Sequence, residues 1–341
     1  MKKKTSLADI ARALGVSKTL VSMVLNGKGD ENGINEDTQK RVWAKAKELN
    51  YKPNMMARSL RTGRSHTIGL IVADISNAFY ARMCRAVEDA AAQRGYYVLF
   101  GSSDEKVTKE QQLIQMLRDR LVDGIILSTT LENKEGIHEM EEAGFPLVLI
   151  DRFIPQESTP FVTADNYQGS KAAVHHLIRK GHSRIGVLKI SPSHLTSITE
   201  RVRGYQDALA EANIEREEEL LLEIPYDDIK GTIARELPRL LSGDNPVSAL
   251  YALNNNLATA SLKVIQDLGL SIPQDIALLS FDDIDLFDLY SPTITAVSQP
   301  VSDMGARAVE MLINKIEKKK GANEDDQVYL PTTLVERQSC G

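Results

Sequence analysis

From Ser65 onward the chain alternates short apolar runs with stretches of helical period, and it does so twice. Thr67–Ala73, Tyr97–Phe100, Gly124–Leu127 and Pro146–Ile150 make one set of runs. Arg184–Lys189, Leu220–Ile224, Ala249–Leu253 and Ile276–Phe281 make a second. A short run that is apolar throughout, and not only at alternate positions, predicts a strand buried on both faces. Helices between such strands supply the crossovers that parallel pairing needs. The expected fold class is therefore α/β, two similar lobes of parallel sheet covered by helices, and with 42% hydrophobic residues among 341 the chain has core material for both.

The same pattern limits where such a chain works. No apolar run approaches the ~18 residues of a membrane helix, and Lys2-Lys3-Lys4 leads into polar sequence without the apolar segment of an export signal. Cys84 and Cys340 are too far apart in sequence for a cysteine metal cluster or a disulfide scaffold, which fits a reducing compartment. The expectation is a cytoplasmic protein with no membrane partner. Its net charge of −6 hides a split. Residues 1–64 hold 14 Lys and Arg against 6 Asp and Glu, whereas the remainder holds 27 against 41. A basic head joined to an acidic body predicts that the head meets a polyanion, with a solvated basic helix as the plainer alternative.

The head has its own period. Leu7, Ile10, Ala11 and Leu14 fall on one helical stripe, Thr5 or Ser6 can cap it, and Gly15 suits the left-handed turn that ends it. Ser17 opens a second helix through about Asn26, with Leu20, Val21, Val24 and Leu25 inward. Asn35 opens a third over Glu36 to Asn50, burying Val42, Ala46 and Leu49. Three short helices with a tight glycine turn between the first two predict a helix-turn-helix over residues 1–50. Pro53 then marks a boundary, and residues 51–64 have room for about two helical turns, marginal alone because helix nucleation is unfavourable.

The run Leu-Ala-Asp-Ile-Ala-Arg-Ala-Leu-Gly-Val-Ser-Lys-Thr-Leu-Val-Ser-Met-Val-Leu-Asn-Gly at 7–27, followed by Tyr-Lys-Pro-Asn and Ala-Arg-Ser-Leu-Arg-Thr-Gly, resembles the DNA-binding head and hinge of the lactose/galactose-repressor family. The resemblance implies that the second helix enters the major groove with Lys18, Thr19 and Met23 at base edges. It implies phosphate contacts from Ser17, Ser22, Asn26 and the arm ending at Lys4, DNA contacts from Thr5 and Asn54, and a minor-groove wedge at Leu60 beside Ala57. One departure stands out. The family usually has arginine where this chain has Met23, so the bidentate donor pair that reads guanine is absent there.

The resemblance extends to the body, which is similar to the periplasmic sugar-binding-protein fold. It implies a first lobe of 65–164 and 298–323, and a second of 165–297 and 324–341, with the last helix (about 301–320) returning to the first lobe and the terminal strands joining the second. In open α/β sheets ligands sit off the carboxyl ends of the strands. Those ends carry Asp74 to Tyr80, Asp151-Arg152, Asn254-Asn255-Asn256 and Ser280 to Asp283. Each residue also reads as a cap or turn former, the reading preferred for Ser76, Asn256 and Asp283. Carboxylates, amides and a guanidinium around an aromatic face are what a hydroxyl-rich ring needs. By family position the effector ligands are Asp151, Arg201, Asn254 and Asp282, with Tyr226 stacking on the effector and Asn77, Phe79 and Gln299 lining the pocket from the first lobe. Relatives usually read Asn-Asp at Asn254-Asn255 and proline at Ala78.

Other chemistry finds little support. His175-His176 lies in a predicted helix, where neighbours face apart and cannot clamp one metal. His182 reads as a turn former. Asp104-Glu105 and Glu139-Glu141-Glu142 read as solvated charge, as does Glu215–Glu219. No metal, cofactor or catalytic set is expected. The reading is a homodimeric repressor that binds a pseudo-palindromic DNA operator under control of a small-molecule effector, a sugar, held between the lobes. The alternative is a sugar-binding transport or chemoreception protein without a DNA role.

Overall fold

The computed structural model describes residues 5–51, 64–242, 244–318 and 327–341. It divides into two compact units, Met1–Ser65 and His66–Gly341.

The first unit is a three-helix cluster whose ends are set by the residues expected to set them. Helix α1 (Leu7–Leu14) starts at Ser6, in a capping box with Asp9, and stops at Gly15 with φ +66°. Helix α2 (Lys18–Leu25) starts at Ser17, whose hydroxyl accepts from Leu20 N at 3.1 Å. Helix α3 (Glu36–Glu48) starts at Asn35, which accepts from Thr38 N at 2.8 Å. Ile10, Ala11, Val21, Val24, Val42 and Ala46 form the buried centre. Six side chains make a small core, so the caps matter: each contributes about 1 kcal/mol.

The second unit holds two six-stranded sheets. Strands β1 (Thr67–Val72), β2 (Tyr97–Ser102), β3 (Ile125–Leu127), β4 (Leu147–Ile150) and β5 (Phe161–Ala164) lie side by side in the order β5-β4-β3-β1-β2, all parallel. Strands β6 (Ile185–Ile190), β7 (Leu221–Ile224), β8 (Ala249–Ala252), β9 (Ala277–Phe281) and β10 (Thr295–Ser298) repeat that arrangement as β10-β9-β8-β6-β7. The second lobe is thus a topological copy of the first. Helices cover the faces of both, among them α4 (Ala78–Gln93), α5 (Val107–Asp119), α6 (His138–Glu142), α7 (Asn166–Arg179), α8 (Thr196–Glu211), α9 (Ile229–Leu241), α10 (Asn255–Asp267), α11 (Asp285–Leu289) and α12 (Val301–Glu317). The α/β class with an N-terminal helical head is as expected.

Three expectations need correction. Strands β5 and β10 were not among the eight predicted; Phe-Val-Thr-Ala and Thr-Ala-Val-Ser mix apolar with hydroxyl residues, so neither makes a continuous apolar run. The terminal strands do not both join the second lobe. Strand β11 (Gln327–Leu330) pairs with β5 in the first sheet, so only β12 (Thr333–Val335), antiparallel to β10, sits in the second. The last crossing between lobes therefore falls between Leu330 and Thr333, and not at 324. Finally, Tyr97–Phe100 is not buried on both faces: Tyr97 is 72% exposed, and Leu99 and Phe100 are each 39% exposed. Strand β2 is the sheet's edge. A continuous apolar run does not distinguish a central strand from an edge strand whose apolar side chains are left uncovered.

Close packing fixes the angle at which the helices lie. A Cβ added to Gly204 on α8 would stand 2.4 Å from the Tyr167 carbonyl oxygen on α7, so only glycine lets these helices approach so closely. Arg201 is one turn upstream on the same helix.

Candidate functional site

Strands β4 and β9 are equivalent in the two lobes, and each ends in an aspartate with left-handed backbone. Asp151 has φ +67° and Asp282 has φ +69°. Aspartate tolerates this conformation better than most residues because its short side chain bonds locally. The turn directs both carboxylates into one cavity of about 460 Å³, part of it open to solvent.

Asp151 is buried. Its Oδ2 accepts from the Tyr80 hydroxyl at 2.8 Å and lies 3.5 Å from Ser128 Oγ and from Arg152 Nε. Asp282 is also buried, and its Oδ1 accepts from Gln299 Nε2. Burial pushes the Asp282 carboxyl above the ordinary aspartate range, against the opposing pull of Arg201 and Gln299, and the Asp151 charge adds to the rise. Arg201 donates from Nε to Asn166 Oδ1 at 2.8 Å and from Nη1 to the Leu253 carbonyl at 2.6 Å. Its guanidinium carbon lies 3.7 Å from the centre of the Phe281 ring.

Two amides cap helices at the cavity wall. Asn77 Oδ1 accepts from Phe79 N at 3.0 Å at the start of α4, and Asn254 Oδ1 accepts from Leu257 N at 2.9 Å at the start of α10. With each oxygen engaged, the Nδ2 amino group is the part of each side chain left to donate to a ligand. Tyr226 lines the cavity from a single 3-10 turn, Tyr226–Asp228, and burial together with the neighbouring Asp74 pushes its phenol well up. Phe79 contributes an apolar wall and packs edge-on against Tyr80, with ring centres 4.9 Å apart.

The cavity thus gathers Asn77, Phe79, Asp151, Arg201, Tyr226, Asn254 and Asp282. Gln299 is absent from the wall; it stands behind Asp282 as that residue's donor. Residues not assigned as effector ligands complete the lining: Asp74, Tyr80, Arg152 and Asn256 from the strand ends, with Glu105, Ile190, Ser197 and Ile198. Glu105 is the clearest correction. Far from being solvated charge, its side chain is 6% exposed and binds Arg152 through both oxygens at 2.6 and 2.7 Å. Asn256, preferred as a cap, also faces the cavity. Ser76 keeps its local role, donating to Asp74; Asp283 instead accepts two bonds from the distant Arg337. A helical-period scan could not have found Glu105, since its pairing depends on a left-handed turn at Asp104 (φ +53°) and Glu105 (φ +54°). Among the described residues no group of His, Cys, Asp and Glu could hold a metal ion, and no helix is long and apolar enough to cross a membrane.

On the head, Lys18, Thr19, Ser22, Met23 and Asn26 share the face of α2 opposite buried Val21 and Val24. Lys18, Thr19 and Asn26 are exposed, and Asn26 Nδ2 donates back to the Ser22 carbonyl at 2.6 Å. The Thr5 hydroxyl donates to the Leu49 carbonyl at 2.9 Å, which ties the start of α1 to the end of α3. Lys4, Asn54, Ala57 and Leu60 lie outside the described residues.

Residues 6–54 match the model of bacterial regulatory proteins of the lacI family, and residues 174–340 match that of a periplasmic binding protein-like domain. The HTH-type transcriptional regulator RegA of Clostridium saccharobutylicum is 34% identical over 336 residues, covering 98% of this chain and 99% of that one. The chain belongs to the lacI family. The lacI-family assignment makes it a DNA-binding transcriptional regulator, built as a helix-turn-helix head on a periplasmic-binding-protein-like body. Among solved lacI-family structures, the complex of transcriptional regulator CelR with cellobiose superposes with a TM-score of 0.71 at 28% identity, covering 98% of this chain and 100% of that one. The lac repressor dimer bound to operator and the anti-inducer ONPF has the same fold, with a TM-score of 0.85 at 23% identity and 99% of each chain covered.

Proposed function

We propose that the cleft binds a sugar, and that its occupancy sets the affinity of a repressor dimer for a pseudo-palindromic operator. The observation that carries this reading is the pair of aspartates at equivalent strand ends, both buried at one cavity. Two carboxylates accept from hydroxyls on two sides of a ring, the Asn77 and Asn254 amino groups donate to others, and Tyr226 and Phe79 offer apolar faces to its C–H surface. A ligand gripped by both lobes stabilises one relative angle of the lobes over another. It thereby shifts a two-state equilibrium by as much as its affinity for the two states differs. Cellobiose in the CelR complex is consistent with this chemistry.

The DNA face is α2, with Ser17, Lys18, Thr19, Ser22, Met23 and Asn26. Lys4 and Thr5, and the hinge residues Asn54, Ala57 and Leu60, add phosphate and minor-groove contacts. Pairing of two bodies is supported by β2, an edge strand with Tyr97, Leu99 and Phe100 uncovered; an exposed apolar edge of this kind invites pairing with another chain. The protein acts without cofactor or turnover, in the cytoplasm.

A thermal-shift screen of sugars and nucleosides tests the reading. Some sugar raises the melting temperature of the wild type in a concentration-dependent way, following mass action, and fails to do so with Asp282→Ala. A hit restricted to nucleosides, or one indifferent to that substitution, overturns it.

A further inference from the structure

We propose that Glu105 sets the charge of the ligand: by occupying the Arg152 guanidinium it makes the cleft select uncharged hydroxyl-rich molecules and refuse phosphorylated or carboxylated ones. The proposal deepens the effector reading above and rests on it.

The cavity wall holds two guanidinium groups, and anion-binding sites are commonly built from such groups because the planar fork matches a carboxylate or phosphate. Here the Arg152 fork is taken on both Nη atoms, and Arg201 has Nε and Nη1 committed. Arg152 gives Nη1 and Nη2 to the two oxygens of Glu105, at 2.7 and 2.6 Å, and its Nε faces Asp151 at 3.5 Å. Both partners of the Glu105 pair are 6% exposed, so water screens the pair little. Arg201 is committed to Asn166 and Leu253 and is covered by the Phe281 ring. The ammonium groups near Glu105 are paired too: Lys106 stands 3.6 Å from Asp227, and Lys109 pairs with Asp104.

Against these two guanidinium groups the wall carries the carboxyl groups of Asp74, Glu105, Asp151 and Asp282. An incoming anion therefore finds no free donor fork and meets surplus negative charge. Glu105 decides this balance, because it holds both Nη atoms of Arg152 while Asp151 faces only Nε, at 3.5 Å. The residue is held for the purpose by two successive left-handed residues and by Thr130, whose hydroxyl lies 3.5 Å from Glu105 Oε2. Beneath it the buried Glu110 carboxylate accepts from Thr129 Oγ1 at 2.8 Å and Thr130 N at 2.7 Å, which fixes the loop that carries those threonines.

Inorganic phosphate, titrated by calorimetry into the full-length protein without DNA, tests this directly. Four proteins are compared: wild type, Glu105→Gln, Arg152→Gln and the double variant. The basic head binds phosphate equally in all four, so the cleft's share is read as a difference. The expected result is that wild type, Arg152→Gln and the double variant coincide, while Glu105→Gln binds phosphate about tenfold or more tightly, as a charge-assisted pair implies. No gain in Glu105→Gln overturns the proposal. So does a wild-type phosphate site that disappears in Arg152→Gln, since the guanidinium would then be available with Glu105 in place. Should a single variant fail to fold, wild type against the double variant decides: equal binding supports the proposal and tighter wild-type binding overturns it. No sugar is needed for this measurement, so its failure is distinct from a failure of the sugar screen.

Discussion

Asp151 and Asp282 occupy the same place in two copies of one sheet, yet their surroundings differ. Asp151 is held by the Tyr80 hydroxyl, with Ser128 and Arg152 close by, and that arginine is itself tied to Glu105. Asp282 accepts from Gln299, while the nearby Arg201 directs its donors to Asn166 and Leu253. Repeating a fold supplies the same backbone position twice; the side chains around it then divide the work. The first-lobe carboxylate is part of a polar network that stabilises the unliganded body. Burial raises the second-lobe carboxyl in spite of Arg201 and Gln299, a cost that a donating ligand would recover under the proposed function.

The largest expected effect is on ligand binding, and it should be symmetric where the stability effect is not. Asp151→Ala and Asp282→Ala each weaken binding of the sugar found in the screen by about 100-fold, the scale of a lost hydrogen bond to a charged acceptor. Melting of the unliganded proteins separates them. Asp151→Ala lowers the melting temperature by several degrees, because Tyr80 loses its acceptor and Arg152 a neighbouring charge, whereas Asp282→Ala frees the Gln299 amide and takes a charge from near Arg201 but also removes a carboxyl that burial penalises. Equal losses would break the comparison.

A subtler test uses pH. Because burial raises the Asp282 carboxyl, its ionisation costs stability in full above the raised value, less as pH falls below it, and nothing below the ordinary aspartate range. Asp282→Asn should therefore raise the melting temperature by a few degrees at neutral pH. That gain shrinks as pH falls through the raised value and the wild type sheds its penalty. A gain independent of pH would mean that desolvation of the carboxylate is not the cause. A smaller effect is expected from Arg337, which fastens Asp283 next to Asp282 and also reaches Asp288. Arg337→Ala should weaken sugar binding only a few-fold, measured by calorimetry, since it touches the second-lobe carboxylate through one intervening residue. A loss as large as that of Asp282→Ala would place it in the ligand's own contacts.

Much of this arrangement is legible in the sequence. Caps at Ser17 and Asn35 and the turn at Gly15 act within a few residues, so composition and spacing expose them. The eight predicted strands announce themselves by near-continuous apolar character, and Asp151 and Asp282 by following two of those strands. What stays hidden depends on partners distant in the chain. Glu105 reads as surface charge until Arg152, 47 positions later, is brought against it. Gln299 reads as a pocket residue although it serves Asp282 from behind. Strand β11 reads as part of the second lobe because nothing local records that its partner is Phe161–Ala164.

The account turns on one ligand bridging both lobes and so governing the head's grip on DNA. Operator binding by the full-length protein, followed by fluorescence anisotropy on a duplex selected by the protein itself, measures this with and without the sugar. The wild type should change its affinity by about tenfold or more, within the usual range of allosteric coupling, and Asp282→Ala should bind the duplex as the unliganded wild type does and not respond. An Asp282→Ala protein that responds to the same sugar, at the same concentration and by the same factor, would contradict it.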